Sequence, residues 1–170
     1  MRKLILNLAV SLDGYIEGPK GEYDWCFTDQ DYGMTAFLRH IDAIFFGRKS
    51  FELVCPMGPN AYPNLAKYVF SKTLTSPEGA IIIRNDIKPN VEKIKRKRGK
   101  DIWLFGGAEL TNNLLEISVV DEMQLSVHPI ILGGGRPLFK NSGRRLGMKL
   151  IGTKTYSTGL VQLFYKLSRR

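Results

Sequence analysis

Two glycine-marked junctions carry the densest chemical signal in this sequence. Gly47-Arg48-Lys49-Ser50 follows the apolar run Ala43 to Phe46 and opens a segment with helical spacing. A strand that ends in glycine and feeds a helix start presents unpaired backbone N–H groups and the positive end of the helix dipole to an anion. Two cations and a hydroxyl stand beside them here, which outlines a phosphate site; the alternative is a tight turn with incidental surface charge. Gly106-Gly107-Ala108-Glu109-Leu110 repeats the arrangement after Ile102 to Phe105. Successive glycines let the backbone approach a ligand closely and adopt unusual dihedrals. The spacing is not GxGxxG, so it supports no Rossmann fingerprint.

Ligands of open α/β sheets bind at the carboxyl edge of the strands, where both junctions would lie. Together they predict an extended diphosphate ligand. Ser71 and Lys72 end a third apolar run and reach the same edge, which makes Arg48, Ser71 and Lys72 candidates for an extra phosphate on a ribose. A third group is acidic: Asp13 in Ser11-Leu12-Asp13-Gly14-Tyr15-Ile16, then Glu17, Glu22, Asp24-Trp25, Asp29 and Asp31. A carboxyl held against an aromatic ring in a cleft can have a raised pKa and donate a proton, or hydrogen-bond a heterocycle. Asp29 and Asp31 could equally cap the following helix, and Asp13-Gly14 could be a turn. His128-Pro129 ends a strand, where a lone histidine is more often structural.

The elements that must position these groups follow from hydrophobic period. Apolar, β-branched runs predict strands at 3–10, 43–46, 67–71, 80–84, 102–105, 121–132, 147–156 and 159–167. Helical spacing fits 31–41, 49–54, 88–98 and 107–118. Strands alternating with helices imply a largely parallel sheet covered on both faces, and the helix-free end implies an antiparallel hairpin at the sheet edge. The expected fold is a three-layer α/β domain with a mixed sheet. Loops at 12–30, 55–66 and 133–146 are long enough to be functional.

The chain has 170 residues, 44% of them hydrophobic, enough for one sizeable core and one domain. No apolar run of about 18 residues predicts a membrane span, and no leader is recognisable, so a cytoplasmic, unanchored protein is expected. The cysteines are Cys26 and Cys55, read as reduced thiols, with no metal-ligand spacing. The net charge of +9 suits an anionic ligand, but does not choose among nucleic acid, membrane and nucleotide. The basic run Lys93, Lys95, Arg96, Lys97, Arg98 and Lys100 has no interleaved aromatics and reads as a solvated helix end.

The motifs SLDGYI, GRKS, VFSK, IWLFGGAEL and LLEISVVDEMQLSVHPIILGGGRPLF, in this order over nearly the whole chain, resemble the dihydrofolate reductase superfamily. The branch they resemble is the reductase domain that ends the bifunctional riboflavin-biosynthesis deaminase-reductase. That resemblance implies NADPH as cofactor and a small pyrimidine or pterin-like substrate. Gly47 to Ser50 and Gly106 to Leu110 would hold the pyrophosphate, Arg48, Ser71 and Lys72 the 2′-phosphate, and Ala9 would lie beside the nicotinamide. Asp31, or failing it Asp13, would be the catalytic acid, with Trp25 and Phe27 contacting substrate. Relatives suggest a homodimer through the sheet edge or the 133–146 loop. Two substrate marks differ. Pro63 to Lys67 lacks the arginine with which classical dihydrofolate reductases hold the folate tail, and Val54-Cys55-Pro56 replaces the Asp-Asp-Pro of riboflavin enzymes.

Overall fold

A computed structural model describes residues 1–54, 61–75, 79–140 and 145–168. The sheet is built from β1 (Leu4–Ser11), β3 (Ile41–Gly47), β4 (Ala66–Phe70), β5 (Ala80–Ile83), β6 (Asp101–Gly106), β7 (Glu122–His128), β9 (Met148–Thr155) and β10 (Val161–Leu167). Their order is β5-β4-β3-β6-β1-β7-β10-β9. Every pair from β5 to β7 is parallel, whereas β10 runs antiparallel to both β7 and β9. The expected mixed sheet with an edge hairpin is thus the observed one.

Four helices cover the parallel part: α1 (Met34–Arg39), α2 (Arg48–Val54), α3 (Ile87–Arg96) and α4 (Ala108–Glu116). On one face Phe37, Phe51 and Val54 pack with Ile5, Ile44, Phe46, Val69 and Trp103. On the other, Val91, Ile94, Leu110, Leu114 and Leu115 pack with Leu4, Leu6, Phe45 and Leu104. Strands buried on both faces cannot alternate polar and apolar residues, which is why they stand out in the sequence as continuous apolar runs.

Local chemistry sets the element ends. The run expected to continue to residue 132 stops at His128, because Pro129 offers no N–H to a ladder and the Ile130 N–H folds back on the His128 carbonyl at 2.8 Å. α1 begins at Met34 instead of 31, since Tyr32 and Gly33 are left-handed, with φ of 47° and 79°. Two short strands escaped the pattern, β2 (Tyr15–Glu17) and β8 (Arg136–Pro137), which pair antiparallel inside stretches expected to be loops. They are too short to show a period.

The amino edge of the sheet is closed by ion pairs. Arg2 meets Asp42, Lys95 meets Asp121, and Lys3 Nζ lies 2.8 Å from Glu122. Backbone donors join in: Leu4 N–H to Asp121 at 2.8 Å, Lys3 N–H to Asp101 at 2.7 Å and Lys100 N–H to Asp42 at 2.8 Å. The basic run therefore needs correction at Lys95. Far from being solvated, this residue is 4% exposed and also donates to the Val119 carbonyl at 2.8 Å. Arg96 pairs with Glu92, the Lys97 ammonium stands 6.0 Å over the Tyr68 ring, and Lys100 donates to the Arg39 carbonyl. The other residues of the run, Lys93, Arg96, Lys97, Arg98 and Lys100, are exposed, as a solvated helix end implies.

Candidate active site

Because β1, β3, β4, β5, β6 and β7 are mutually parallel, their carboxyl ends share one edge. It carries Ser11, Gly47, Ser71, Arg84, Gly106 and His128 at or just beyond the strand ends. The two glycine junctions meet there directly. A Cβ placed on Gly47 would lie 3.6 Å from the Gly106 oxygen and 3.8 Å from the Gly107 nitrogen, and one on Gly107 would press to 3.3 Å from Ser50 Oγ. Gly106 adopts a φ of 102°, the peptide between the two glycines is cis, and a Cβ at Gly106 would meet Thr111 Oγ1 at 3.3 Å. No side chain caps the N-terminus of α4, which Gly107 precedes. Thr111 Oγ1, in the first turns of that helix, is fully buried without a hydrogen-bond partner among the described residues. Bare backbone, an uncapped helix start and a glycine-lined cradle suit an extended diphosphate.

Next to this cradle the sheet opens. β1 pairs with β6 over Leu4 to Leu6 only, while its ladder with β7 runs from Ile5 to Ser11. Beyond Leu6 the β1/β6 ladder ends, Leu8 Cδ2 lies 3.9 Å from a Cβ placed on Gly106, and Ala9 follows on β1, half-buried. The Trp103 indole N–H donates to the Asn7 carbonyl at 2.9 Å, just where the ladder ends. Such a parting beside the central strand is the usual ligand position in open sheets.

Further along the edge, Lys72, Arg84, Asn85, Lys88, Asn113 and Glu116 line a cleft of about 490 Å³. Ser71 Oγ accepts the N–H groups of Thr73 and Leu74 at 3.2 and 2.9 Å, leaving its own proton to donate. The Arg84 guanidinium donates to the carbonyls of Lys72 and Leu74 at 3.0 and 2.8 Å. Arg84 and Asn113 were missed in the sequence; Arg84 ends a strand at the same edge as Ser71, which is the signal that could have found it. Arg48 and Lys49 are exposed, and Arg48 stands 3.8 Å from Glu52. Glu109 is exposed in the first turn of α4, where its charge complements the helix dipole but opposes a phosphate.

The acids hold backbone. Asp13 accepts from Ser11 Oγ at 2.7 Å and from the N–H groups of Leu132 and Gly133 at 3.1 and 2.8 Å, tying the loop after β1 to the loop after β7. These donors, the Ser11 hydroxyl foremost, hold its carboxyl below the usual range. Asp31 accepts both the Thr35 hydroxyl and the Thr35 N–H, at 2.7 and 2.9 Å, which caps α1 and likewise lowers its carboxyl pKa. Asp29 instead accepts the Tyr32 hydroxyl at 2.7 Å. Lowered pKa values favour carboxylates over proton donors at both candidate positions.

His128 organises the aromatic loop. Its Nδ1 lies 3.0 Å from the Ser126 carbonyl and its Nε2 accepts the Phe27 N–H at 3.1 Å, a pairing that requires the neutral ring protonated on Nδ1. Burial lowers its pKa accordingly. The rings of Trp25 and Phe27 stand edge-on to it at 5.2 and 5.0 Å. Cys26, between them, is half-buried and pushed up to about 11 by desolvation, so it is an inert thiol; Cys55 lies outside the described residues. No cluster of three or more potential metal ligands occurs among the described residues. No helix of the described residues is long and apolar enough to cross a membrane.

The family model of the RibD C-terminal domain matches residues 2–162. The uncharacterized protein YyaP of Bacillus subtilis is 45% identical over 177 aligned positions, covering 96% of this chain and 94% of that protein. A solved structure from Shewanella sp. PV-4, named for riboflavin biosynthesis, superposes with a TM-score of 0.87 at 26% identity, covering 98% of this chain and 99% of that one. Dihydrofolate reductase from Enterococcus faecalis, complexed with NADP(H), shares the fold with a TM-score of 0.72 at 16% identity, covering 98% and 97%.

Proposed function

The chain belongs to the RibD C-terminal domain family, and on that premise we propose that it is an NADPH-dependent reductase of a pyrimidine or pterin-like ring. The nearest model for the reaction is the 5-amino-6-(5-phosphoribosylamino)uracil reductase of riboflavin biosynthesis. The observation that carries this reading is the mutual contact of Gly47, Gly106 and Gly107, within 3.6 to 3.8 Å where Gly47 would carry a Cβ, beside the parting of β1 from β6. A pyrophosphate against the glycines directs one end of a dinucleotide toward Ala9. The other end extends toward Ser71, Lys72 and Arg84.

In this reading Gly47, Gly106, Gly107 and Ala108 offer backbone, with Ser50 and Leu110 walling the cradle. Arg48, Lys49, Ser71 and Lys72 supply charge and donors to phosphate, and the Ser71 proton is aimed outward by the two amides it accepts. Glu109 acts through the helix start alone. NADPH, when bound, supplies the hydride. Asp13 and Asp31, as carboxylates, accept hydrogen bonds from ring N–H groups, His128 holds the segment that carries Trp25 and Phe27, and water delivers the proton that balances the hydride. The protein is read as one cytoplasmic domain that pairs into a homodimer through the β9 edge, where Met148, Leu150 and Ile151 are exposed.

One observation favours a second reading, a nucleotide-binding protein without turnover: neither candidate acid is held as a proton donor. Titration with NADPH and NADH, followed by tryptophan fluorescence, tests the cofactor. Saturable quenching at least about tenfold tighter for NADPH is expected, since an extra phosphate meets two or more cations; absence of saturable binding overturns both readings. NADPH oxidation against a panel of aminopyrimidines and pterins then separates them, turnover supporting the reductase and binding without oxidation the second.

A further inference from the structure

The sheet ends on one side with β5, whose outer edge pairs with no strand among the described residues. β5 reads Ala80-Ile81-Ile82-Ile83, four apolar residues without a charge among them. The Ile83 carbonyl accepts the Ser71 N–H at 3.2 Å. Successive strand residues turn their backbone groups to opposite sides, so Ile81 and Ile83 serve the ladder with β4, and the N–H and carbonyl of Ile82 point away from the sheet. Ile81 is 55% exposed, although its neighbours on the same face, Tyr68 and Ile83, are buried in the core. Proteins ordinarily charge, bulge or cover an edge of this kind.

Beside this edge runs a groove of about 400 Å³ between β5 and α3. Tyr68, Ile81, Ile83 and Ile94 supply its apolar lining, and Arg84, Lys93 and Lys97 its charge; Asp86 is the one acid lining it among the described residues. Lys93 and Lys97 are exposed and one helical turn apart, at the end of α3 and its C-cap. Neither meets a carboxylate among the described residues, whereas Arg96 on the same helix pairs with Glu92. The Lys97 ammonium, 6.0 Å over the Tyr68 ring, overhangs the lining. An uncharged isoleucine edge thus lies against a row of cations that belong to the neighbouring helix and not to the strand.

We propose that this edge and groove dock an extended acidic segment of a partner protein, which adds to the sheet as a further strand beside β5. The inference goes beyond the reductase reading and does not depend on it. Pairing with the outward N–H and carbonyl of Ile82 supplies backbone hydrogen bonds. Alternate side chains of the added strand fall on the groove, where acids meet Lys93 and Lys97, and the others pack beside half-buried Ile82 on the opposite face. A second copy of this chain is the poorer occupant, because the same edge would bring Arg84, Lys93 and Lys97 against their counterparts in a chain of net charge +9. Single-stranded nucleic acid stacks on exposed aromatics, and Tyr68, the aromatic ring of the groove, is 6% exposed.

The test is fluorescence anisotropy of a short labelled peptide of alternating glutamate and valine, titrated with the full chain. Saturable binding is expected, and K93E/K97E should weaken it at least about tenfold by setting like charges opposite each other. Ile82→Pro should weaken it by about as much, since it removes the outward N–H and spares the ladder bonds of Ile81 and Ile83. K93E/K97E should keep the wild-type NADPH affinity and melting temperature. Should Ile82→Pro fold poorly, hydrogen exchange of the Ile82 amide in the wild-type protein reads the same pairing, slowing at least about tenfold when the peptide is added. Absence of binding, equal binding of polyglutamate or oligothymidine of the same length, an affinity that K93E/K97E leaves unchanged, or an Ile82 exchange rate that ignores the peptide overturns the proposal.

Discussion

The two edges of one sheet are built on opposite principles. At the amino edge, Arg2, Lys3 and Lys95 each meet a carboxylate, and Asp42, Asp101 and Asp121 also accept backbone N–H groups. At the carboxyl edge the strand ends carry glycines, an uncapped helix start, exposed Lys49 and Lys72, Arg48 beside Glu52 alone, and a Thr111 hydroxyl without a partner among the described residues. Charge is saturated where the fold is held and left available where a ligand would bind. The difference shows that a net charge of +9 has to be divided by location before it says anything about partners.

The amino edge offers the largest test. Lys95→Ala takes away the ammonium that neutralises Asp121 in a site where Lys95 is 4% exposed. The expected loss is about 3–5 kcal/mol of unfolding free energy by denaturant titration, the cost of removing one partner of a buried ion pair. A loss near zero would remove the contrast between the edges. Gly107→Ala tests the other side. Its backbone φ of −69° accepts a side chain, while the new Cβ reaches to 3.3 Å of Ser50 Oγ inside the cradle. NADPH affinity should fall by about tenfold, roughly 1.4 kcal/mol, with the melting temperature nearly unchanged. A variant that melts early but binds normally would make the diglycine structural.

His128 sharpens the contrast because it is a structural group at the ligand edge. Its pKa is lowered from 6.5 by burial, so the folded state takes up the proton at lower pH than the unfolded chain does. Its contribution to stability is complete above pH 6.5 and is lost as pH falls below that value. Melting temperature between pH 7.5 and 5 should decline, and His128→Gln should flatten that slope; an unchanged slope would assign it to other groups. The smallest effect is expected from Arg84→Ala, an exposed residue whose guanidinium holds the Lys72 and Leu74 carbonyls. About threefold weaker NADPH binding, with NADH binding unaltered, fits loosening of the loop that carries Ser71 and Lys72. Equal weakening for both cofactors would place Arg84 away from the extra phosphate.

Legibility followed the length and burial of each segment. Residues 43–46 and 102–105 were readable as strands because burial on both faces leaves no polar position, and the helices 88–98 and 107–118 because their apolar residues recur on one side. β2 and β8 were not readable, since a two- or three-residue pair separated by 119 positions leaves no periodic trace. The glycine junctions were visible by composition. Their mutual contact was not, nor was the burial of Lys95 inside a basic run that reads as solvent-facing.

Residue type and spacing by themselves determined the alternation of elements, the parallel sheet with its terminal hairpin and the carboxyl edge as the ligand side, because these follow from periodicity and from the handedness of strand-helix-strand connections. Tertiary structure alone decided how each polar side chain is used. Asp13 clamps two loops, Asp31 caps a helix, His128 is held neutral, and Asn7 meets Gln124 across a ladder between residues 117 positions apart. A hydrogen bond depends on distances of a few tenths of an ångström between groups remote in sequence, and only the folded chain sets those distances.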